Sequence, residues 1–271
     1  MDRRLTPANG RVADAALEGQ VAAQRFTTGR PARITAALED LRPAPGARRD
    51  RQLLWGEEVT LYERRDGWAF VRAARDGYVG WLRSAALGAP RRATHRVAVP
   101  ATHLYAGEDI KSPDLAHLSF GARIAVLSEC RHFWETADGF IPKKHLRPLD
   151  RPFTDPVTVA QLFFGVPYLW GGNSILGIDC SGLVQAAHLA CDLPCPGDSD
   201  LQEQALGRET YAPPRRGDIW FWKGHVGLVV DDDTLIHANA HHMAVAYEPL
   251  TAAGLRIEAQ GGGPVRMRKR L

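Results

Sequence analysis

Two closely spaced Asp-Gly pairs, Asp66-Gly67 and Asp76-Gly77, are the strongest indication of the fold. They interrupt a series of short, apolar, strand-like segments between residues 52 and 87. Asp-Gly is a favoured two-residue connection between antiparallel strands because both residues tolerate positive φ angles. Strands this short and this closely spaced predict a small β-barrel at residues 49–90.

The next segment, residues 91–150, repeats this style. Its Asp138-Gly139-Phe140 echoes Asp76-Gly77-Tyr78 near the matching end of the first segment. Such an internal echo predicts two related barrels in tandem. Residues 1–48 are rich in Ala, Arg, Pro and Gly and show little alternation, so we expect an N-terminal arm with little core of its own.

Composition narrows the function classes. The 271 residues are 45% hydrophobic, with 34 basic and 31 acidic side chains and a net charge of +3. This near-equal number of basic and acidic side chains does not indicate a nucleic-acid or membrane partner. The first thirty residues lack a long apolar run, so a cytoplasmic protein is expected. Cys191 and Cys195 do not follow zinc spacing, and neither a metal nor a cofactor is expected.

A third unit, residues 151–271, contains the segment GIDCSGLVQAAH. Cys180 precedes apolar residues with helical spacing, which places its thiol at the start of a helix. Unpaired backbone N–H groups and the helix dipole favour a thiolate there. Free cysteine is also among the most buried residue types. From this segment alone, a working thiol and an inert core residue remain equally open.

A nucleophilic thiol needs an imidazole base that a third group holds in place. The segment GHVGLVVDDDTLIHANA predicts a hairpin with a three-residue turn, Asp231 to Asp233. This register places Gly227 opposite His237, so that His225 and His237 are diagonal neighbours on one face. A two-residue turn would place the two histidines on opposite faces.

Together these segments resemble a known family. PYLWGG, DCSG, RRGDIWFW, GHVGLVV and LIHA, in this order, look like the NlpC/P60 family of papain-like cysteine peptidases over residues 152 to 250. The resemblance implies an α+β fold, with a helix packed on an antiparallel sheet. It implies Cys180 as nucleophile, His225 as base and His237 as the orienting residue. The two preceding barrels resemble bacterial SH3-like (SH3b) modules.

Other enzyme classes fit the motifs less well. GIDCSG is not the G-x-S-x-G elbow of serine hydrolases. Gly171-Gly172 has neither P-loop nor dinucleotide-binding spacing. Asp218 could act as an acid catalyst, but its place between a glycine and a strand favours a turn-forming role.

The tandem barrels narrow the resemblance to γ-D-glutamyl-L-diamino acid endopeptidases of murein peptide recycling. In that group a barrel roofs the cleft and reads a free N-terminal amine. The resemblance implies this role for Glu57 and Tyr78, with Glu58 as the fallback. Asp198 is interpreted as a helix N-cap rather than as a contact residue. The implied substrate contacts in the third unit are Tyr168, Trp170, Asp179, Ser181 and Ser199.

The expected reaction is hydrolysis of the bond between γ-D-Glu and an L-diamino acid in short free murein peptides that begin with L-Ala. Whether the diamino acid is diaminopimelate or lysine stays open. We expect a monomer whose partner is this peptide. One alternative is a hydrolase of polymeric peptidoglycan, with the barrels as wall anchors. Another is a catalytically silent binding protein.

Overall fold

The computed structural model describes residues 1–271, which divide into two compact units, Met1–Asp150 and Arg151–Leu271. No helix in it has the length and apolar character needed to cross a membrane. Both units are built mainly from short antiparallel strands.

The first half of the N-terminal unit is an antiparallel β structure. A five-stranded sheet has the order β8-β7-β6-β3-β9, and β4 pairs with β5. Asp66 and Gly67 have φ angles of 49° and 79°, and they form the predicted two-residue turn between β6 and β7. The strands are β1 (Val12–Asp14), β2 (Arg25–Thr27), β3 (Arg30–Ile34), β4 (Leu38–Leu41), β5 (Arg51–Leu54), β6 (Glu58–Arg65), β7 (Trp68–Ala73), β8 (Val79–Arg83) and β9 (Leu87–Gly88).

The predicted boundary of the arm at residue 48 is wrong. Strands β3 and β4 lie before it, and Ile34 and Leu41 are fully buried in the core of the first β structure. The pattern of β3 is hard to see because Pro31 interrupts it and Arg33 is itself buried, with its Nε donating to the carbonyl of Ala89. The segment therefore belongs to the first core and does not merely cover it.

The second half of the N-terminal unit has its own core. A five-stranded sheet has the order β12-β11-β16-β15-β14, and a three-stranded sheet has the order β13-β10-β17. Leu54 of β5 packs in this second core with Leu118 and Ile141, so the two halves share a packed boundary. The strands are β10 (His95–Val97), β11 (Ala101–Tyr105), β12 (Asp114–Ser119), β13 (Arg123–Ile124), β14 (Val126–Glu129), β15 (Phe133–Thr136), β16 (Gly139–Pro142) and β17 (Leu146–Pro148).

The C-terminal unit is a six-stranded antiparallel sheet, of order β20-β25-β21-β22-β23-β24, with packed helices. Helix α2 packs against β22 and β23. Helix α4 covers an apolar cluster that includes Trp220, Trp222 and Val229. The elements are α1 (Pro156–Gln161), β18 (Asn173–Ser174), β19 (Gly177–Ile178), α2 (Cys180–Ala190), α3 (Ser199–Ala205), β20 (Arg208–Glu209), β21 (Ile219–Trp222), β22 (His225–Val229), β23 (Thr234–Asn239), β24 (Ala244–Pro249), α4 (Leu250–Ile257) and β25 (Met267–Arg270).

The basic C-terminal segment is a strand of this sheet. β25 pairs with both β20 and β21. The guanidinium of Arg268 lies 4.3 Å from the centroid of the Trp220 ring. Arg270 Nε lies 2.7 Å from Oδ1 of Asp218, whose other oxygen accepts from the backbone N–H of Arg215. Asp218 therefore has the structural, turn-forming role that its sequence position favours.

Candidate active site

The histidine hairpin has the predicted register. Leu228 pairs with Ile236 and Val229 with Leu235, and the backbone N–H of Val230 donates to the carbonyl of Thr234. The turn therefore contains three residues. The two rings meet, since Nε2 of His225 lies 2.8 Å from Nδ1 of His237.

Cys180 is the first residue of α2 and is 7% exposed. The helix that it begins packs against β22 and β23, the strands that carry the two histidines. The N-terminal end of a helix carries partial positive charge and favours an anion such as a thiolate. The structure thus combines a thiol at a helix start with a hydrogen-bonded pair of imidazoles in one unit. No disulfide links the four cysteines.

Asp179 caps the helix. Its Oδ1 accepts from the backbone N–H of Gly182 at 2.6 Å and from Oγ of Ser181 at 2.9 Å. Its Oδ2 accepts from the backbone N–H of Gly171 at 2.8 Å. Asp179 and Ser181, both expected to contact substrate, are buried, and Asp179 holds the helix start against the Gly171 loop.

The glycines of the two motifs allow this loop to approach. A Cβ atom on Gly182 would lie 2.5 Å from the carbonyl oxygen of Gly172. A Cβ atom on Gly172 would in turn lie 2.4 Å from the carbonyl oxygen of Gly177. These distances are shorter than any normal carbon–oxygen contact. DCSG and PYLWGG therefore belong to one packed structure, and Gly182 makes room for the chain's own backbone.

A carboxylate extends the histidine pair. Nε2 of His237 lies 2.9 Å from Oε2 of Glu248 in β24. Arg256 of α4 holds the same carboxylate with two bonds, Nε to Oε1 at 2.7 Å and Nη2 to Oε2 at 2.6 Å. The side chain of His237 is fully buried, and those of Glu248 and Arg256 are only 11% and 17% exposed. Hydrogen bonds therefore link four side chains in a continuous series: His225, His237, Glu248 and Arg256.

The surroundings of the two histidines keep both imidazoles neutral. Burial, together with repulsion from His237 and Arg256, lowers the pKa of His225 well below 6.5. Burial also lowers the pKa of His237, against the opposing hydrogen bond with Glu248. Although burial would raise the pKa of Glu248, hydrogen bonds from Arg256 and His237 hold it well below its usual value. At neutral pH His225 is therefore a neutral imidazole, and His237 lies between it and the charged pair of Glu248 and Arg256.

Tyr168 lies in the electrostatic field of the thiol. Burial is the main cause that raises the pKa of its phenol, and Cys180 and Asp179 add to the effect. The phenol therefore keeps its proton and can donate a hydrogen bond. The backbone N–H of Tyr168 donates to the carbonyl of Met243, which ties this segment to the start of β24.

The other predicted contacts in this unit are more dispersed. Trp170 is 60% exposed. Ser199 is the first residue of α3 and is half-buried. Asp198 has the predicted N-cap position, but its side chain makes no capping hydrogen bond.

Glu57 and Tyr78, expected to read the substrate amine, lie inside the first β structure. Oε1 of Glu57 accepts from Nη1 of Arg75 at 2.7 Å, and its Oε2 accepts from the backbone N–H of Leu54. Tyr78 is 3% exposed and belongs to the core. Neither is a solvated strand end, and Glu57 already has a cationic partner. Glu58, the fallback, is exposed.

The sequence reasoning missed Glu248 and Arg256. In the ladder between β23 and β24, His237 pairs with Ala246, so Glu248 is a diagonal neighbour of His237 on the same face. Predicting the register of this second hairpin would have found it. Arg256 has no comparable signal, because its position follows from the packing of α4.

Comparison with known proteins agrees with this architecture. The family model "Bacterial dipeptidyl-peptidase Sh3 domain" matches residues 41–87, and the model "NlpC/P60 family" matches residues 165–257.

Two curated relatives are named gamma-D-glutamyl-L-lysine dipeptidyl-peptidase. The one from Bacillus cereus is 26% identical over 249 residues, covering 78% of this chain and 74% of its own. The one from Bacillus subtilis is 28% identical over 212 residues, covering 69% and 71%.

The crystal structure of an NlpC/P60 family protein from Bacillus cereus superposes with a TM-score of 0.75 at 21% identity, covering 89% of this chain and 99% of that one. This likeness supports the fold, with helices on an antiparallel sheet and an SH3-like domain before them. The chain therefore has a bacterial SH3 domain in its N-terminal unit, and its C-terminal unit is a cysteine hydrolase domain of the NlpC/P60 family.

Proposed function

We propose that this protein is a cysteine peptidase that hydrolyses the bond between γ-D-Glu and an L-diamino acid in short, free peptides derived from murein. The observation that carries the proposal is the 2.8 Å hydrogen bond between His225 and His237, on the hairpin against which the Cys180 helix packs. A thiol, a base and a group that orients the base are the parts that acyl transfer through a covalent intermediate requires.

The names of the relatives supply the substrate class. Both are gamma-D-glutamyl-L-lysine dipeptidyl-peptidases, and a dipeptidyl-peptidase releases two residues from a free amino end. A substrate with the sequence L-Ala-γ-D-Glu-diamino acid fits this description. Glu57 and Tyr78, with Glu58 as the fallback for Glu57, are proposed to recognise its ammonium group. Because Arg75 neutralises Glu57, recognition through Glu57 requires a change of partner.

In the first half of the proposed reaction, His225 takes the proton of the Cys180 thiol and the sulfur attacks the γ-carbonyl carbon. The phenol of Tyr168, which keeps its proton, donates to the developing oxyanion. The tetrahedral intermediate collapses as the carbon–nitrogen bond breaks. His225 gives its proton to the departing amine, and a thioester remains on Cys180.

In the second half, His225 takes a proton from water, whose oxygen attacks the thioester. Collapse releases L-Ala-D-Glu with a free γ-carboxyl group, and the proton returns to the sulfur. His237 holds the His225 ring throughout through the hydrogen bond between Nε2 and Nδ1.

The test compares L-Ala-γ-D-Glu-diaminopimelate, the same peptide with lysine, the N-acetylated form of each cleaved peptide, and intact peptidoglycan. We expect release of L-Ala-D-Glu from a free peptide and none from its acetylated form. Cys180→Ala is expected to bind the peptide without turnover. Equal cleavage of the acetylated peptide would remove the amine-reading role, and cleavage of intact peptidoglycan alone would favour a wall hydrolase. Full activity of Cys180→Ala would overturn the mechanism.

A further inference from the structure

The hydrogen bonds behind the histidine pair determine which ring nitrogens carry protons. An ionised carboxylate only accepts hydrogen bonds. Because Glu248 is held as a carboxylate by Arg256, Nε2 of His237 must carry the proton in their 2.9 Å bond. A neutral imidazole has one N–H, so Nδ1 of His237 is an acceptor.

The same rule applies to the next ring. Nδ1 of His237 accepts, so Nε2 of His225 must donate in the 2.8 Å bond between them. Nδ1 of a neutral His225 then carries no proton. It is the only nitrogen of this ring left to accept a proton from a thiol. When His225 becomes protonated, its Nε2 still donates to His237, so no other bond in the chain has to reverse.

We propose that Glu248 is a positioning residue that acts through His237 and fixes the tautomer in which His225 can serve as base, and that Arg256 holds Glu248 in place. This inference rests on the proposed function. It extends the site from three side chains to five, across α2, β22, β23, β24 and α4.

Removing the carboxylate acceptor is expected to exchange the protonated and unprotonated nitrogens on both rings. In Glu248→Met, Nε2–H of His237 would be buried without an acceptor, which is unfavourable. Arg256, freed from its partner, is then expected to donate to Nε2 of His237 instead. The proton of His237 then moves to Nδ1, His225 accepts at Nε2, and its Nδ1 becomes protonated. In this tautomer His225 cannot take the proton of a thiol.

The variants separate this positioning role from a simple loss of packing. Glu248→Met is expected to lower kcat by about 100-fold, the size of a lost general-base contribution. Glu248→Gln retains an oxygen that can accept from His237 and is expected to recover at least about tenfold of this loss. Arg256→Met keeps a carboxylate that can accept from His237 but removes the two bonds that hold it, so its kcat should fall, by less than in Glu248→Met. Arg216→Gln, which removes the bond to Asp155 in the same unit, is the control for loss of an unrelated ion pair.

Two readouts on the full chain decide the outcome. The first is the 15N spectrum of histidine-labelled protein, in which protonated and unprotonated ring nitrogens are distinguishable. Wild type and Glu248→Gln should show protonated Nε2 and unprotonated Nδ1 on both rings, and Glu248→Met should show the reverse. The second is the pH profile of kcat/KM, whose acid limb reports protonation of the imidazole base. The charged or titratable groups that act on the two rings are Glu248, Arg256 and His242. Arg256→Met removes a repelling cation and should move the acid limb to higher pH.

A native tautomer pattern with wild-type kcat in Glu248→Met would overturn the proposal. So would a loss in Glu248→Gln as large as in Glu248→Met, or a loss in Arg256→Met of the same size. If the wild type cleaves none of the peptides, the proposed function fails, but the 15N pattern in the wild type and Glu248→Met still decides the tautomer.

Discussion

At the scale of single residues, the proposed site combines a thiol, two neutral rings and a phenol that keeps its proton. The environment of each follows from burial and from one or two named neighbours. Cys180 is at a helix start, the pKa of His225 is lowered, and the pKa of Tyr168 is raised. The position of Cys180 at a helix start and the pairing of the two histidines could be predicted from the sequence because both motifs are local. Glu248 was not predicted, because its role depends on the pairing of a third strand.

Tyr168→Phe tests the oxyanion role at this scale. Removal of the hydroxyl deletes one donor to the developing charge, so kcat is expected to fall by about 100-fold with little change in KM. Steady-state kinetics on the free peptide measure both constants. An unchanged kcat would show that the phenol does not stabilise the transition state.

At the scale of elements, the start of α2 and the loop that precedes it form one packed structure. The loop glycines and Gly182 leave no space for a Cβ atom, and Asp179 bonds to both segments. The sequence predicted the hairpin register because a turn of three aspartates fixes its parity. It did not predict β3 as part of a barrel, because Pro31 and the buried Arg33 hide the alternation. The basic sequence of β25 shows no strand pattern of its own. The segment is a strand because it pairs with both β20 and β21.

Gly182→Ala is expected to displace the backbone at Gly172 and the cap of α2. The cost should be about 1–3 kcal/mol of unfolding free energy, in the range of overpacked sites, with a clear loss of kcat. Gly254→Ala in α4 is the matched control, since a Cβ atom there meets nothing within 4 Å. The control should be neutral or more stable by up to about 1 kcal/mol. Denaturant unfolding measures both variants, and equal stability of the two would contradict the close-approach argument.

At the scale of the whole molecule, two units with separate cores contain several histidines kept neutral by burial. His188 is fully buried in α2, where its Nδ1 bonds to the carbonyl of Val184 and its Nε2 has no partner. Burial lowers its pKa, as it does for His225 and His237. Near neutral pH these groups are uncharged in the folded and the unfolded protein. Below pH 6.5 the unfolded chain binds protons that the folded chain resists, so stability must fall as the pH falls.

His188→Leu tests this coupling between protonation and folding. The wild type is expected to lose stability between pH 6.5 and 5, and the variant to lose less, by up to about 1.4 kcal/mol per pH unit. His132→Gln, which replaces an exposed histidine, should follow the wild type. Thermal melting as a function of pH measures all three proteins. A variant that loses stability as steeply as the wild type would show that His188 does not contribute.

Alkylation measures whether Cys180 is a reactive thiol and whether His225 activates it. Iodoacetamide is added at pH 7 to the wild type and to His225→Gln, and mass spectrometry follows the modification of each cysteine with time. Cys180 should react first, ahead of Cys195, which is also buried, and its rate should fall at least about tenfold in the variant. If Cys180 reacts no faster than Cys195, it is not a reactive thiol. If it reacts equally fast without His225, that histidine does not activate it.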